Sequence, residues 1–409
     1  MISVRYCIYR MTLSTPTLSR QLRRKKTERL LGILALLSFI VAWAIGYQLE
    51  NADVEPYLHE AMPEASHFEK LDAISYAAYD DANAQAPIGY IGIGESNGYG
   101  GPLKLAVAVD LEGTITGVAV IQHRETPSWF RKVNESGFIK SFLSKSYEDA
   151  FQLGEDVDGV TSATYTSRAI AESALKGSRS IAANQLGFDV PPALKPKIAF
   201  GIPEIALLGL FGVGYFGHQR NAKYKKQLRW VSLLVGMVVL GFMYNKPLTL
   251  SMINQVLLGF WPQWQSNLYW YLMIGGILFV FTVDNKNPYC QWFCPFGAAQ
   301  ECMGAIGGAK NYSPGRYRNF FTWLRRGVVW FAILVALLFR SPGLTSYEIF
   351  GTLFALVGSN PQFILLGIVL IVALFIKRPW CTYLCPIGPV DEFIRMVRKW
   401  ILEKTKKKS

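Results

Sequence analysis

Two groups of residues in this 409-residue chain have types and spacings that can do chemistry. The first is the run Asp158-Gly159-Val160-Thr161-Ser162-Ala163-Thr164-Tyr165-Thr166-Ser167, which stands directly before a helical pattern over 168–186. A helix N-terminus carries unpaired N–H groups and the positive end of the dipole, so it favours a phosphate. Asp, Ser and Thr are also the ordinary N-caps of helices, and composition does not separate the two readings. The second group is cysteine. Four of the six fall in two copies of one pattern, Cys290-Gln291-Trp292-Phe293-Cys294-Pro295 and Cys381-Thr382-Tyr383-Leu384-Cys385-Pro386. Thiolates ligate iron–sulfur clusters, and bacterial ferredoxin runs end in Cys-x-x-x-Cys-Pro. Four thiolates also satisfy a structural zinc, and unliganded buried thiols are a third reading. Cys7 and Cys302 lie outside the pattern; Cys302 is close enough in sequence to the first pair to be an alternative ligand.

The elements that carry these groups are of two kinds. Half the residues are hydrophobic and the net charge is +13. Basic charge on this scale can mark a nucleic-acid binder, but here it sits in short loops between apolar runs, the pattern of a membrane protein oriented by its cytoplasmic loops. No nucleic-acid partner is expected. Six spans are expected, over 30–47, 198–217, 230–244, 268–283, 327–339 and 363–376. The flanking segments 1–29, 218–229, 284–326 and 377–409 carry 8, 5, 6 and 9 Lys and Arg, against one each in 245–267 and 340–362. This bias places both termini in the cytoplasm. The first span follows a long basic leader and exceeds a usual signal h-region, which favours an uncleaved signal-anchor over a cleaved signal peptide.

The expected fold is therefore an α+β extracytoplasmic domain joined to an all-α polytopic membrane domain. The leader is 1–29, the anchor 30–47 and the extracytoplasmic domain 48–197. A five-helix membrane domain over 198–376 holds the first Cys motif after helix 4, and 377–409 holds the second motif and a basic tail, Lys404 to Lys408. Within 48–197, Leu103–Val109 and Ile115–Ile121 alternate around an Asp110–Gly113 turn and read as a hairpin. Gly92-Ile93-Gly94 resembles a dinucleotide fingerprint, but no βαβ unit follows and it reads as strand and turn. A helix is expected over 136–151, and Pro191, Pro192 and Pro196 make a stiff exit toward the membrane. Glu204 is a carboxylate inside the second span, which marks either proton or quinone chemistry or a side chain reaching the interface. The four His residues (His59, His67, His123, His218) offer no pair for a haem.

The hydroxyl run resembles the flavinylation motif of FMN-binding domains in NosR, Rnf-G and Nqr-C type proteins, Asp-x-x-Ser/Thr-Gly/Ser-Ala-Thr. The resemblance implies FMN joined by a dedicated flavin transferase through a phosphoester to Thr164. Asp158, Gly159, Thr161, Ser162 and Ala163 complete the motif, and Thr166 is the fallback acceptor. Ser162 stands where the family most often has Gly. His123-Arg124-Glu125-Thr126-Pro127 matches a second run of the family, with Ser128 in place of its Gly, and adds Glu125 and Thr126 to the expected flavin site. The paired Cys motifs after membrane spans resemble the membrane portion of the NosR and NapH polyferredoxin group. That likeness implies a 4Fe-4S cluster on Cys290, Cys294, Cys381 and Cys385. NosR-like proteins usually continue into a further ferredoxin domain.

Together these imply a membrane electron-transfer component, with no catalytic residue of its own. It would pass electrons from the Cys-ligated centre through FMN to an extracytoplasmic redox protein. The hydrocarbon core is about 30 Å thick, which leaves a gap between one cluster and one flavin for a membrane quinone or a ferredoxin-type subunit to fill. The rival is a redox-sensing regulator or assembly accessory for an extracytoplasmic reductase.

Overall fold

The computed structural model describes residues 18–406 apart from 51–52, 83, 162, 193–197, 220–223, 285–286 and 313–314. Ser162, Cys7, Pro196, Lys407, Lys408 and most of the basic leader therefore lie outside the described residues.

Helix α1 (Leu18–Gln48) leads to a short α2 (Glu55–Ala61). Five strands follow: β1 (His67–Lys70), β2 (Ser75–Tyr79), β3 (Gly89–Asn97), β4 (Pro102–Val109) and β5 (Ile115–His123). They pair antiparallel in chain order as a meander. The expected hairpin is β4–β5, and Asp110 fixes its turn by accepting from the N–H groups of Glu112 and Thr114. After α3 (Pro127–Glu135), the chain crosses to α4 (Thr164–Asn184), which lies across the sheet.

Alternation on β4 decides both faces. Leu103, Leu105, Val107 and Val109 point to α4 and its Ile170 and Ile181. Ala106 and Ala108 point the other way, with Ile91, onto Leu58 and Ala61 of α2. The glycines of β3 set how closely α4 approaches. A Cβ at Gly94 would collide with the carbonyl oxygen of Ser173 and stand 2.8 Å from the nitrogen of Gly177. Gly92-Ile93-Gly94 is thus a strand that receives a helix backbone. Gly94→Ala should lower the stability of the sheet domain by about 3 kcal/mol, the upper part of the overpacking range, seen as an earlier thermal transition in far-UV circular dichroism.

Two expectations differ. The helix starts at Thr164 rather than 168, because the hydroxyl run itself supplies its first turn. Residues 136–151 are not one helix: a 3-10 turn, Phe138–Phe142, buries two rings, and the chain then turns at Ser144 and Phe151, both at positive φ. Phe138, Ile139, Phe142 and Leu143 give this stretch the spacing of a helix face, but Phe138, Phe142 and Phe151 plug the end of the sheet core.

The remaining helices are α5 (Ile202–Gln219), α6 (Lys225–Val235, continuing as a π-helix to Met243), α7 (Leu250–Leu258) and α8 (Leu268–Asp284). Then come α9 (Pro295–Gly307), α10 (Arg318–Leu338), α11 (Phe350–Phe354), α12 (Asn360–Ala373), α13 (Pro379–Tyr383) and α14 (Ile387–Lys406). Among the described residues three stretches are long and apolar enough to cross a membrane, Lys26–Gln48, Lys225–Met243 and Gly315–Leu338. Ile202–Gly217, Leu268–Val283 and Asn360–Ala373 are shorter apolar helices. Their outward faces carry unburied apolar side chains such as Phe279, Phe331, Ile364 and Ile371. The order long helix, short helix, apolar helix, Cys-bearing turn or short helix, and a helix beginning at or just after a Pro occurs twice, from α6 to α9 and from α10 to α14.

The sheet domain is fastened to these helices. Glu50, just beyond α1, forms ion pairs with Arg124 (2.9 Å) and Arg340 (2.7 Å), and Arg124 also donates to the carbonyl of Phe339 at 2.9 Å. Both guanidinium groups are nearly buried. Such a buried charge is costly unless paired, so this triad fixes the docking of the two halves.

Candidate functional site

At the N-terminus of α4 the cap position is Ala163, and among the described residues no side chain caps the helix. The ordinary explanation of the hydroxyl run, an N-cap, is not what these residues do. Thr164 is exposed, as are Asp158, Gly159 and Thr161. The two hydroxyls that follow are committed elsewhere. Thr166 is 2% exposed and donates to Glu125 Oε2 at 2.9 Å. Ser167, also buried, accepts from the N–H of Val160 at 3.2 Å, which folds the run back against the helix.

Glu125 lies beneath this turn. Its other oxygen accepts from the N–H of Gly100 at 3.3 Å, and a Cβ on Gly98 would collide with it. Burial pushes its pKa up to about 7, against the pull of the Thr166 and Gly100 hydrogen bonds. Next to it, His123 stacks on Phe130 with centroids 3.6 Å apart; burial, with the Arg124 charge, brings it down to about 4, so it is neutral near pH 7. A carboxyl raised from its unfolded value of 4.5 to about 7 stabilises the fold fully below pH 4.5. That stability is lost as pH rises through about 7. Glu125 alone therefore contributes a loss on the order of 3 kcal/mol between pH 4.5 and 8, while the lowered His123 contributes an opposite gain between about pH 4 and 6.5. In denaturant titrations Glu125→Gln should leave stability rising from pH 4.5 to 8, where wild type stays nearly flat.

Tyr165, the second residue of α4, opens onto the junction with the membrane helices. A cavity of about 250 Å³ is lined by Ser96, Tyr165, Arg168, Glu172, Lys176 and Asn267. A smaller one of about 40 Å³ continues from Tyr165 to Tyr99, Lys246, Tyr269 and Trp270. The Lys246 ammonium lies 5.7 Å from the Tyr165 ring centre and 4.7 Å from that of Tyr269, within cation–π range. It is 3.5 Å from Glu204, which sits in the first turn of α5 and accepts from the N–H of Gly201. Glu204 is thus a buried ion-pair partner at a helix end. An uncapped helix N-terminus suits a phosphate, and the cavities beside it, aromatic in part and with Arg168, Lys176 and Lys246 set against Glu95 and Glu172, can take a planar, hydrogen-bonding ring system.

The four motif cysteines come together. Cys290 lies in the π-turn Tyr289–Phe293, and Cys294 caps α9, its Sγ accepting from the N–H of Gly297 at 3.4 Å. Cys381 is in α13 and Cys385 just before α14. Cys290 is within electrostatic reach of Cys294, Cys381 and Cys385. Among the described residues no three His, Cys, Asp or Glu side chains gather tightly enough for one metal ion. A cluster spreads its thiolates over several irons, so the donor set fits a cluster better than a single zinc. Cys302 has Glu301 as its charged neighbour and stands outside this group.

Polar side chains not singled out in the sequence hold the two halves of the centre together. Gln300 donates to Cys381 Sγ at 3.5 Å and to the carbonyl of Phe296, and accepts from the N–H of Trp380. Glu301, nearly buried, pairs with Arg378 at 2.8 Å and with Arg229, and Arg378 donates to the carbonyl of Cys290 at 2.8 Å. A Gln-Glu pair inside the otherwise apolar run of α9 was the available signal, since intramembrane charge is costly and usually partnered.

The centre is also deeper than its place after a span suggests. Helix α8 is about 25 Å long. Yet Tyr269 at its start donates to the carbonyl of Lys246, and Tyr289, past its end, accepts from the N–H of Leu248, both at 2.8 Å. The Cys turn therefore folds back into the bundle, where Tyr289, Trp292, Phe293 and Cys385 belong to the main core.

A sheet domain with an open phosphate-type helix end, fused to helices that gather four thiols, defines a flavin and iron–sulfur protein class. Residues 98–177 match the FMN-binding domain, and 266–312 with 362–405 match the 4Fe-4S binding domain. Among similar proteins is the G subunit of the proton-translocating ferredoxin:NAD(+) oxidoreductase complex of Clostridium ljungdahlii. It is 32% identical over 149 residues, 34% of this chain and 78% of that one. The G subunit of the ion-translocating oxidoreductase complex of Vibrio vulnificus is 28% identical over 164 residues, 34% of this chain and 77% of that one. Protein NirI of Paracoccus denitrificans is 29% identical over 213 residues, 47% of this chain, and the chain spans only 30% of NirI's own length. The chain belongs to the FMN-binding-domain family that includes these G subunits, here fused to 4Fe-4S binding domains in the NosR- and NapH-like manner.

Proposed function

We propose that the chain is a membrane-bound electron-transfer flavoprotein, a component of a redox system rather than a self-contained enzyme. The sheet domain within 48–197 lies outside the cytoplasm, six helices span the membrane, and both termini are cytoplasmic. The loop charges support this orientation, and three further apolar helices beside the three of full span length support the number of spans. Cys290, Cys294, Cys381 and Cys385 hold a 4Fe-4S cluster, and Thr164 carries FMN through a phosphoester. When bound, the flavin supplies a carrier of one or two electrons and the cluster supplies single-electron steps.

The chain's own residues prepare these sites. The free N–H groups opening α4 receive the phosphate, beside Thr161 and Asp158. Glu125, protonated in part near pH 7, holds Thr166 in place without placing a full negative charge under that phosphate. Tyr165 and Lys246 line the ring's cavity, and Arg378 keeps positive charge near the thiolates. A ferredoxin-type donor on the cytoplasmic side and an extracytoplasmic redox protein as acceptor complete the path. The G-subunit relatives, whose names place them in multi-subunit oxidoreductase complexes, support partners of this kind.

The observation that carries the reading is the exposed Thr164 hydroxyl on an uncapped helix end beside the junction cavity. The test is peptide mass spectrometry on protein co-expressed with a flavin transferase. An FMN adduct on Thr164 is expected, and an unmodified peptide refutes it.

A further inference from the structure

Between the flavin cavity and the thiol centre runs one short strap of chain, Lys246-Pro247-Leu248. Its entry is fixed by Asn245, held at φ 45° with its N–H on the carbonyl of Gly241, and by the Lys246 N–H on the carbonyl of Leu240. Pro247 has a locked φ and needs no donor partner. Leu248 is buried. The Lys246 carbonyl is held by the Tyr269 hydroxyl and the Leu248 N–H by the Tyr289 hydroxyl, so both ends are clamped by aromatic side chains.

The two ends face different sites. Lys246 and Pro247 line the cavity beneath Tyr165. Tyr289 is covalently joined to Cys290, its carbonyl accepts from the N–H of Cys294 at 2.8 Å, and its ring packs on Phe293. From Lys246 to Leu248 the chain reaches at most about 7 Å. The Leu248–Tyr289 hydrogen bond, the Tyr289 side chain and the step to Cys290 bring the bonded route to about 20 Å, still less than the about 30 Å of hydrocarbon core that separate the two faces of a membrane. Tunnelling weakens steeply with distance and is stronger through covalent and hydrogen bonds than across gaps.

We infer that the clamped strap Lys246–Leu248, with Tyr269 and Tyr289, is the electron path between the four-thiol centre and the flavin cavity, so that no mobile carrier passes between them. This rests on the proposed flavin and cluster sites. Each electron lost by the reduced centre is gained by the flavin, protons come from water at the cavity, and no bond of the chain forms or breaks. Tyr289 is a positioning residue: its ring and hydroxyl bring Leu248 against the thiol turn.

The test uses the full chain, loaded with FMN and iron, in proteoliposomes made without quinone, with dithionite added outside as the impermeant reductant. Flavins facing outward bleach at once, and those facing the lumen bleach only through the protein. Wild type should bleach its lumenal flavin without further addition. Tyr289→Phe, which loses the hydrogen bond but keeps the ring, should slow this severalfold, and Tyr289→Leu at least tenfold. Val369→Ala, which trims the same core on α12, should leave the rate unchanged. Iron, sulfide and flavin contents and both midpoint potentials should be the same in all four proteins. Equal rates in wild type and Tyr289→Leu with both cofactors present overturn the path, as does a wild-type lumenal phase that needs added menadione. Absence of iron or of covalent flavin in wild type refutes the proposed function itself.

Discussion

Thr164→Val should abolish covalent flavin altogether, taking it from about one equivalent per chain to none on denaturing-gel fluorescence, while the sheet domain stays folded. Thr164 is exposed at the first position of α4, and its side chain caps nothing, so valine removes the acceptor hydroxyl and little else. Thr166→Val should behave in the opposite way. Its hydroxyl is inside the domain and donates to the buried Glu125. Losing it leaves a buried acceptor short of a partner, at a cost of about 1–3 kcal/mol, but keeps the flavin. If Thr166→Val loses the flavin and Thr164→Val keeps it, the assignment of the two hydroxyls is reversed.

The second large effect is at the thiols. Cys290→Ser or Cys385→Ser should bring iron and acid-labile sulfide from stoichiometric to near zero, and with them the entry of electrons from the cytoplasmic side. Cys302→Ser should retain both, because Cys302 faces Glu301 rather than the group of four. The contrast matters more than either result alone: all three thiols lie in the same half of the molecule, and a general packing defect would not spare one of them. Zinc without iron in the purified wild type would sink the cluster assignment.

Much of this is legible in the sequence, and for identifiable reasons. The β4–β5 hairpin announces itself by strict alternation around Asp110–Gly113, and both Cys motifs by repetition. The apolar runs fall within helices, since a long apolar stretch leaves the backbone few other ways to satisfy its hydrogen bonds. Helices α1 and α10 nevertheless begin at Leu18 and Arg318, well before the expected 30 and 327, because charged residues break up the apolar signal in their first turns. Residues 136–151 mislead because Phe138, Ile139, Phe142 and Leu143 stand at helical spacing, whereas the chain forms a short 3-10 turn and buries Phe151 from a separate turn. The helical pattern places the start of α4 four residues late, since Thr164 to Ser167 have the composition of a cap and are the first turn. What periodicity does not reach is depth. Nothing local in Tyr289 says that its hydroxyl meets Leu248, because that hydrogen bond joins segments separated by two helices, α7 and α8. Arg124 and Arg340 are likewise visible as charges but not as partners of one carboxylate, Glu50.

The two-copy layout of the membrane half has a consequence for how the protein is made. Each copy supplies one pair of thiols, so the centre does not exist until the second copy has been synthesised and folded against the first. The interval is about ninety residues, or on the order of ten seconds of translation. During it Cys290 and Cys294 stand as an unfinished half-site, with Gln300, Glu301 and Arg229 waiting for Trp380 and Arg378. On the proposed ligand assignment, cofactor insertion waits for translation of the second motif.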